Sequence, residues 1–183
     1  MREAFFWGLV GGSSLIVGGL AALTLPISER LLGLIMAFGA GVLISAVAYE
    51  LVAEGYSKSG GSGHLALGTA AGALTFYAGD ALIDRMGGAD RKSMNRGAAA
   101  SGSGLAIVLG IVLDGIPESA VIGLGLLEGT GVSVAVIAAV FLSNLPEAIA
   151  ATTGLRADGW SGRKITLLWV LVTVVCGLAS LVG

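Results

Sequence analysis

Charged side chains, cysteine, histidine and proline are all scarce in this chain. Charged residues make up only 12% of its 183 residues, where a soluble domain carries roughly 25%, so there is too little charge to clothe a water-facing surface. One cysteine, Cys176, excludes an internal disulfide framework and reads as a buried packing residue. One histidine, His64, lies in a short polar connection, so no apolar stretch holds the imidazole that an intramembrane serine protease needs. The HExxH helix of zinc proteases and the phosphate-cradling P-loop are both missing, which argues against that protease class and against ATP-driven pumping by this chain alone. The chain is expected not to be an enzyme and to have no nucleic-acid partner. Only three prolines occur, at 26, 117 and 146.

What fills the space is apolar sequence. Hydrophobic residues reach 55% and mean hydropathy is +0.93. They fall in six runs, near 4–26, 31–53, 65–83, 104–127, 131–153 and 165–182. Each approaches or exceeds the ~20 residues that a helix needs to cross a bilayer. Lipid offers no partner to free backbone groups, so the runs must be helices, and the period-2 alternation of a membrane barrel is absent. The expected fold is all-α: a polytopic bundle of six transmembrane helices forming one domain over 1–183, with the lipid bilayer as its first partner.

The net charge of −2 says little, but its distribution sets the orientation. The N-terminus and the connections after spans 2 and 4 hold Arg2 and Lys58. The connections after spans 1, 3 and 5 hold Arg30, Arg85, Arg91, Lys92, Arg96, Arg156, Arg163 and Lys164. The positive-inside rule makes the second set cytoplasmic and the N-terminus external, in the plasma membrane. The first span is longer than the 7–15 apolar residues typical of a signal peptide, so it reads as a retained helix ended by Pro26. The Arg/Gly/Ser-rich stretch 85–103 reads as a cytoplasmic linker, and EGYSKSGGSGH (54–64) as an outer loop. Few residues separate spans 4 and 5, near Glu128 and Gly129, so these two form an antiparallel hairpin.

That hairpin carries the chemistry. LDGIPES (113–119) and LSNLPEA (142–148) echo each other at a spacing of 29 residues. A carboxylate inside a membrane span costs about 2.5–3.5 kcal/mol on insertion scales, and a proline there removes a backbone hydrogen bond. Both together, twice, are poorly explained by packing. Asp114 and Glu118 stand four apart on one helix face, as do Ser143 and Glu147, with Asn144 beside them. Pro117 and Pro146 free the carbonyls of Leu113 and Leu142. Three carboxylates, an amide, a hydroxyl and free carbonyls form an oxygen-rich set suited to a divalent cation. Side by side in low dielectric the carboxylates repel one another, so a metal ion or protons must neutralise them.

These residues resemble the ZIP family of divalent-metal transporters, whose fourth helix carries His-Asn-x-Pro-Glu-Gly and whose fifth carries a related Pro-Glu element. IMAFGAGVLISAVAYELVAE (35–54) is similar to the family's second helix, and the N-out topology and long connection after span 3 fit as well. The resemblance implies a binuclear-type site between helices 4 and 5, with Glu118 and Glu147 as carboxylate ligands and Asp114 and Ser143 standing where the family has histidines. Gly115 replaces an asparagine ligand, and Asn144 is a local addition. The family implies Zn²⁺ as the transported ion, whereas an all-oxygen set leans toward harder ions, with Mn²⁺ and Fe²⁺ as candidates. The metal is cargo, and no prosthetic group is expected. The family has eight helices against six here, so the chain is expected to be a fragment or a shortened relative completed by a second copy in a homodimer.

Other residues have plainer readings. Glu50 and Glu54 end span 2 as interfacial carboxylates or as a cation entrance. Asp80 is expected to pair within the bundle, and Asp84 ends span 3. Gly8 with Gly12, and Gly68 with Gly72, have the four-residue spacing that permits close helix approach, expected to serve packing inside one bundle. Two rival functions remain: a membrane relative that binds metal without moving it, and a proton-coupled carrier of another solute.

Overall fold

In a computed structural model, residues 2–85, 104–127, 131 and 133–182 are described. Every regular element among them is helical: α1 Arg2–Thr24, α2 Glu29–Ala46, α3 Ala53–Lys58, α4 His64–Ile83, α5 Gly104–Leu127, α6 Val134–Ala157 and α7 Gly162–Val182. A π-helical stretch, Val47–Val52, joins α2 to α3, so these three pieces make one span. Six helical runs are thus long and apolar enough to cross a membrane. The chain is a multi-pass, all-α membrane bundle.

The ends differ from the expected ones for local reasons. α1 stops at Thr24 because Leu25, preceding Pro26, is pushed out of helical geometry. The second span runs on to Lys58, four residues beyond the acidic end expected for it. Lys58 and Glu54, one turn apart, close an ion pair of 2.9 Å there. α6 begins at Val134, where the Ser133 hydroxyl accepts a hydrogen bond from the Val136 N–H, a standard N-cap. The connection between spans 4 and 5 at 128–130, and the linker sequence 86–103, lie outside the described residues.

Contacts between helices fix how they are stacked. α1 lies against α6 and α7, and also touches α5. Gly8 sits on Ser180, Gly12 on Thr173 and Cys176, and Gly19 on Trp169, so α1 and α7 run antiparallel. Gly11 meets Val140, and Gly18 meets the Leu145 carbonyl and the Ala148 methyl, so α1 and α6 run parallel. A side chain at Gly18 would collide with the Leu145 carbonyl, and one at Gly19 with the Trp169 indole. Small residues are therefore what let these backbones touch, and lipid supplies no hydrophobic drive to replace that contact.

Hydrogen bonds then lock the contact. The Thr173 hydroxyl donates to the Gly12 carbonyl at 2.9 Å, the Ser180 hydroxyl to the Ala4 carbonyl at 2.7 Å, and the Trp169 indole N–H to Thr152 Oγ1 at 2.8 Å. All are buried polar groups satisfied across helices. A cluster of Leu15, Val108, Ile111, Ala151, Leu155, Ile165, Trp169 and Val172 fills the half of the bundle nearer Arg156. A second cluster, Ile122, Val136, Ile137 and Val140 with Trp7, Val10 and Leu51, fills the other half.

The second and third spans are peripheral. α2 packs mainly on α6 and α4 mainly on α5, where Leu113 lies over Gly79. Here the packing expectation for glycine divides. Gly8 and Gly12 are buried in the bundle, but a Cβ at Gly68 or Gly72 would meet nothing within 4 Å, so that pair does not serve packing inside this chain. On α2, by contrast, a Cβ at Gly39 would stand 2.6 Å from the Leu142 carbonyl oxygen. That is the carbonyl whose helical donor Pro146 removes.

Gly39→Val should force α2 off α6 and destabilise the fold by about 1–3 kcal/mol. Gly41→Ala, where nothing lies within 4 Å, should be neutral or stabilising by up to about 1 kcal/mol, the helix-propensity difference. Thermal melts of the two variants in the same detergent check the contrast. Equal melting temperatures would refute the close approach.

Candidate metal centre

Pro117 and Pro146 both lie inside unbroken helices, so each proline loosens its helix without ending it. In α5 the i, i+4 spacing puts Asp114 and Glu118 one turn apart. In α6 the same spacing relates Ser143 to Glu147, with Asn144 one position on. α5 and α6 touch along the bundle, and this brings the two motifs to the same level. Glu118 feels the charges of Glu147 and Asp114, and Glu147 that of Asp114. Asp114, Glu118, Asn144 and Glu147 are therefore within electrostatic or hydrogen-bond reach of one another, and Ser143 stands one turn before Glu147 on α6.

Their environments are unequal. Ser143 and Asn144 are 6% and 2% exposed, while Asp114, Glu118 and Glu147 are half-buried. Asn144 hydrogen-bonds the Glu118 carboxylate, so its amide N–H donates and its own oxygen stays available. The Ser143 hydroxyl donates to the Val140 carbonyl at 3.1 Å. Oε2 of Glu118 and Oε2 of Glu147 are buried with no hydrogen-bond partner, and Oδ1 of Asp114 is buried beside them. A native interior rarely leaves such oxygens unpaired without a functional reason. Among the described residues, no three His, Cys, Asp or Glu side chains stand close enough together to grip one ion as a group. The cluster as it stands is a set of mutually repelling charges within electrostatic reach, one step looser than a coordination shell.

Along the bundle axis this polar layer lies between the two apolar clusters. Ile111 and Ile122 flank Asp114 and Glu118 on α5, and Val140 and Ala151 flank Glu147 on α6. Apolar residues thus lie on both sides of the carboxylates along the helices.

Two further residues join the site that the motifs alone did not reveal. Ser119, 2% exposed, hydrogen-bonds the Cys176 thiol, which lies 4.0 Å from the Gly115 carbonyl and within reach of the Glu118 charge. Ser119 is the last residue of the LDGIPES motif, next to Glu118 in the chain. Nothing in the sequence of α7 marks Cys176, because which face of α7 meets α5 depends on packing. The packing role expected for Cys176 agrees with its burial. The other candidates lie on other elements. His64 is exposed and its Nδ1 is 2.9 Å from the Ser62 hydroxyl; Glu54 pairs with Lys58; Asp80 is half-buried on α4 and Asp84 follows that helix. The Glu50 side chain lies outside the described residues.

Three carboxyl groups crowded into one low-dielectric layer should weaken the fold, whether they repel as charges or take up protons. Glu147→Gln, which keeps the shape and removes one charge, should therefore raise stability in the presence of a chelator by about 1–3 kcal/mol, the scale of an uncompensated buried polar group. A melt of native and variant chains in EDTA measures it, and a lower melting temperature for the variant would mean that Glu147 is structural glue. A scan against protein-family models, a search of characterised proteins and a search of solved structures each return no match to this chain.

Proposed function

We propose that the chain is a carrier for a divalent metal cation, in the manner of the ZIP transporters that its Pro-Glu motifs resemble. The observation that carries this reading is the pair of buried, unpartnered oxygens, Glu118 Oε2 and Glu147 Oε2, on adjoining helices in the middle of a membrane-length bundle. Groups that cost stability and satisfy nothing are expected where a ligand is meant to bind.

Glu118 and Glu147 would be the central ligands. Asp114 adds a third carboxylate, Ser143 and Asn144 add neutral oxygens, and Pro117 and Pro146 give the two helices freedom to shift the carboxylates toward an ion. Zinc comes first by resemblance. The donor set is all oxygen, which suits Mn²⁺ and Fe²⁺ as well. The apolar clusters on both sides act as barriers, and passage requires one of them to part at a time. The basic end of the bundle faces the cytoplasm and the N-terminus faces outside, in a plasma membrane, with metal moving inward.

Flux into proteoliposomes, measured separately for Zn²⁺, Mn²⁺, Fe²⁺, Cd²⁺ and Mg²⁺, tests the proposal. The native chain should carry at least one of them, and Glu118→Gln/Glu147→Gln should abolish that flux while remaining folded by circular dichroism. The absence of flux for every ion from folded native protein would leave a metal-binding relative that does not transport.

A further inference from the structure

Pro117 removes a helical hydrogen bond from the turn of α5 that leads into Glu118, yet α5 runs unbroken through it. Residues on either side of this turn share one contact on another helix. The Cys176 thiol of α7 donates toward the Gly115 carbonyl at 4.0 Å and is hydrogen-bonded with Ser119. Gly115 precedes the proline and Ser119 follows it. They are four apart, so they form one stripe of α5, and both are buried. Asp114 and Glu118, each one position back, form the neighbouring stripe, about 100° round the helix.

Cys176 itself is set from the far side. Its Cβ is 3.1 Å from where a Cβ at Gly12 would stand, and its Sγ is 3.4 Å from where one at Gly115 would. The side chain thus passes from the surface of α1 to that of α5 through space that two glycines leave. Three residues before it, the Thr173 hydroxyl donates to the Gly12 carbonyl at 2.9 Å. Four residues after it, the Ser180 hydroxyl donates to the Ala4 carbonyl at 2.7 Å. α7 is therefore tied to α1 on both sides of the cysteine. The proline turn of α6 is braced by α1 in a similar way: Gly18 meets the Leu145 carbonyl, before Pro146, and the Ala148 methyl, after it.

We propose that Cys176 is a positioning residue, a splint from α7 across the Pro117 turn of α5 that sets where the Glu118 carboxylate stands. With the thiol donating to Gly115, the Ser119 hydroxyl donates to Sγ, and the two bonds bridge the residues before and after the proline. A residue that only filled space would need neither bond. The splint acts on Glu118 through the backbone of α5 and is not itself an ion ligand. Its effect on ion affinity rests on the carrier reading; the splint does not.

Hydrogen exchange of the detergent-solubilised full chain, followed by mass spectrometry on peptides covering α5, tests it. Cys176→Ala should raise exchange at 118–122 by about three- to tenfold, the weight of one net hydrogen bond, with little change in the other helices. Ser119→Ala should do the same, and the double variant should add nothing further, because both changes break one bridge. Thr152→Val, which removes the buried bond from Trp169 between α6 and α7, should lower the melting temperature without this local rise. For an ion that the native chain carries, Cys176→Ala should raise KM by a similar factor and change Vmax less. Exchange at 118–122 that is unchanged in Cys176→Ala, raised equally in all helices, or additive in the double variant would overturn the proposal, as would an unaltered KM in a chain that transports. If the native chain carries no ion, the carrier reading falls and the exchange result alone decides the splint.

Discussion

The arrangement depends on how closely α1 approaches α6 and α7. In water, apolar faces are driven together by the solvent; in lipid, that drive is gone and contact must come from packing and hydrogen bonds. α1 supplies contact by having almost no side chains along one flank. Gly18 lets the Leu145 carbonyl seat against its backbone, Gly19 receives the Trp169 indole, and Gly8 receives Ser180. Hydroxyl bonds from Thr173 and Ser180 to α1 carbonyls then hold the register. α6, pinned on α1 immediately before Pro146, presents Glu147 at a defined depth. α7, pinned on the other side, presents Cys176 to α5.

With α6 and α7 fixed, α5 fills the remaining space, and the carboxylates of two helices arrive in one layer. The price is plain: charges share a dry region, and two of their oxygens find no partner. Asn144 hydrogen-bonds the Glu118 carboxylate. A bundle selected for stability alone would hold none of these groups. Apolar clusters lie on both sides of them along the helices.

Around this rigid core, α2 and α4 are held lightly. α2 has one intimate contact, Gly39 on the Leu142 carbonyl, which covers the backbone group that Pro146 leaves without its helical donor. α4 has its main contact with α5 and leaves Gly68 and Gly72 open. The Pro-Glu helices thus pack chiefly against α1 and α7 on one side and against α2 and α4 on the other.

The sequence alone determined that this is a helical membrane protein and which end of each helix shares a side. Backbone polar groups in lipid admit almost no other solution, and the Lys/Arg count per connection needs no structure. It also singled out Asp114, Glu118, Ser143, Asn144 and Glu147, because buried carboxylates beside prolines violate local rules that packing would otherwise enforce. Tertiary structure decided the rest. It showed that Gly8 and Gly12 pack inside the bundle while Gly68 and Gly72, equally spaced, do not. It joined Ser119 and Cys176, which are far apart in sequence, and backed a proline-freed carbonyl with a glycine from another span. It also put apolar layers on both sides of the charges. These outcomes depend on which face of one helix meets which face of another, and a helix that is apolar all round carries no periodic signal of its own to say so.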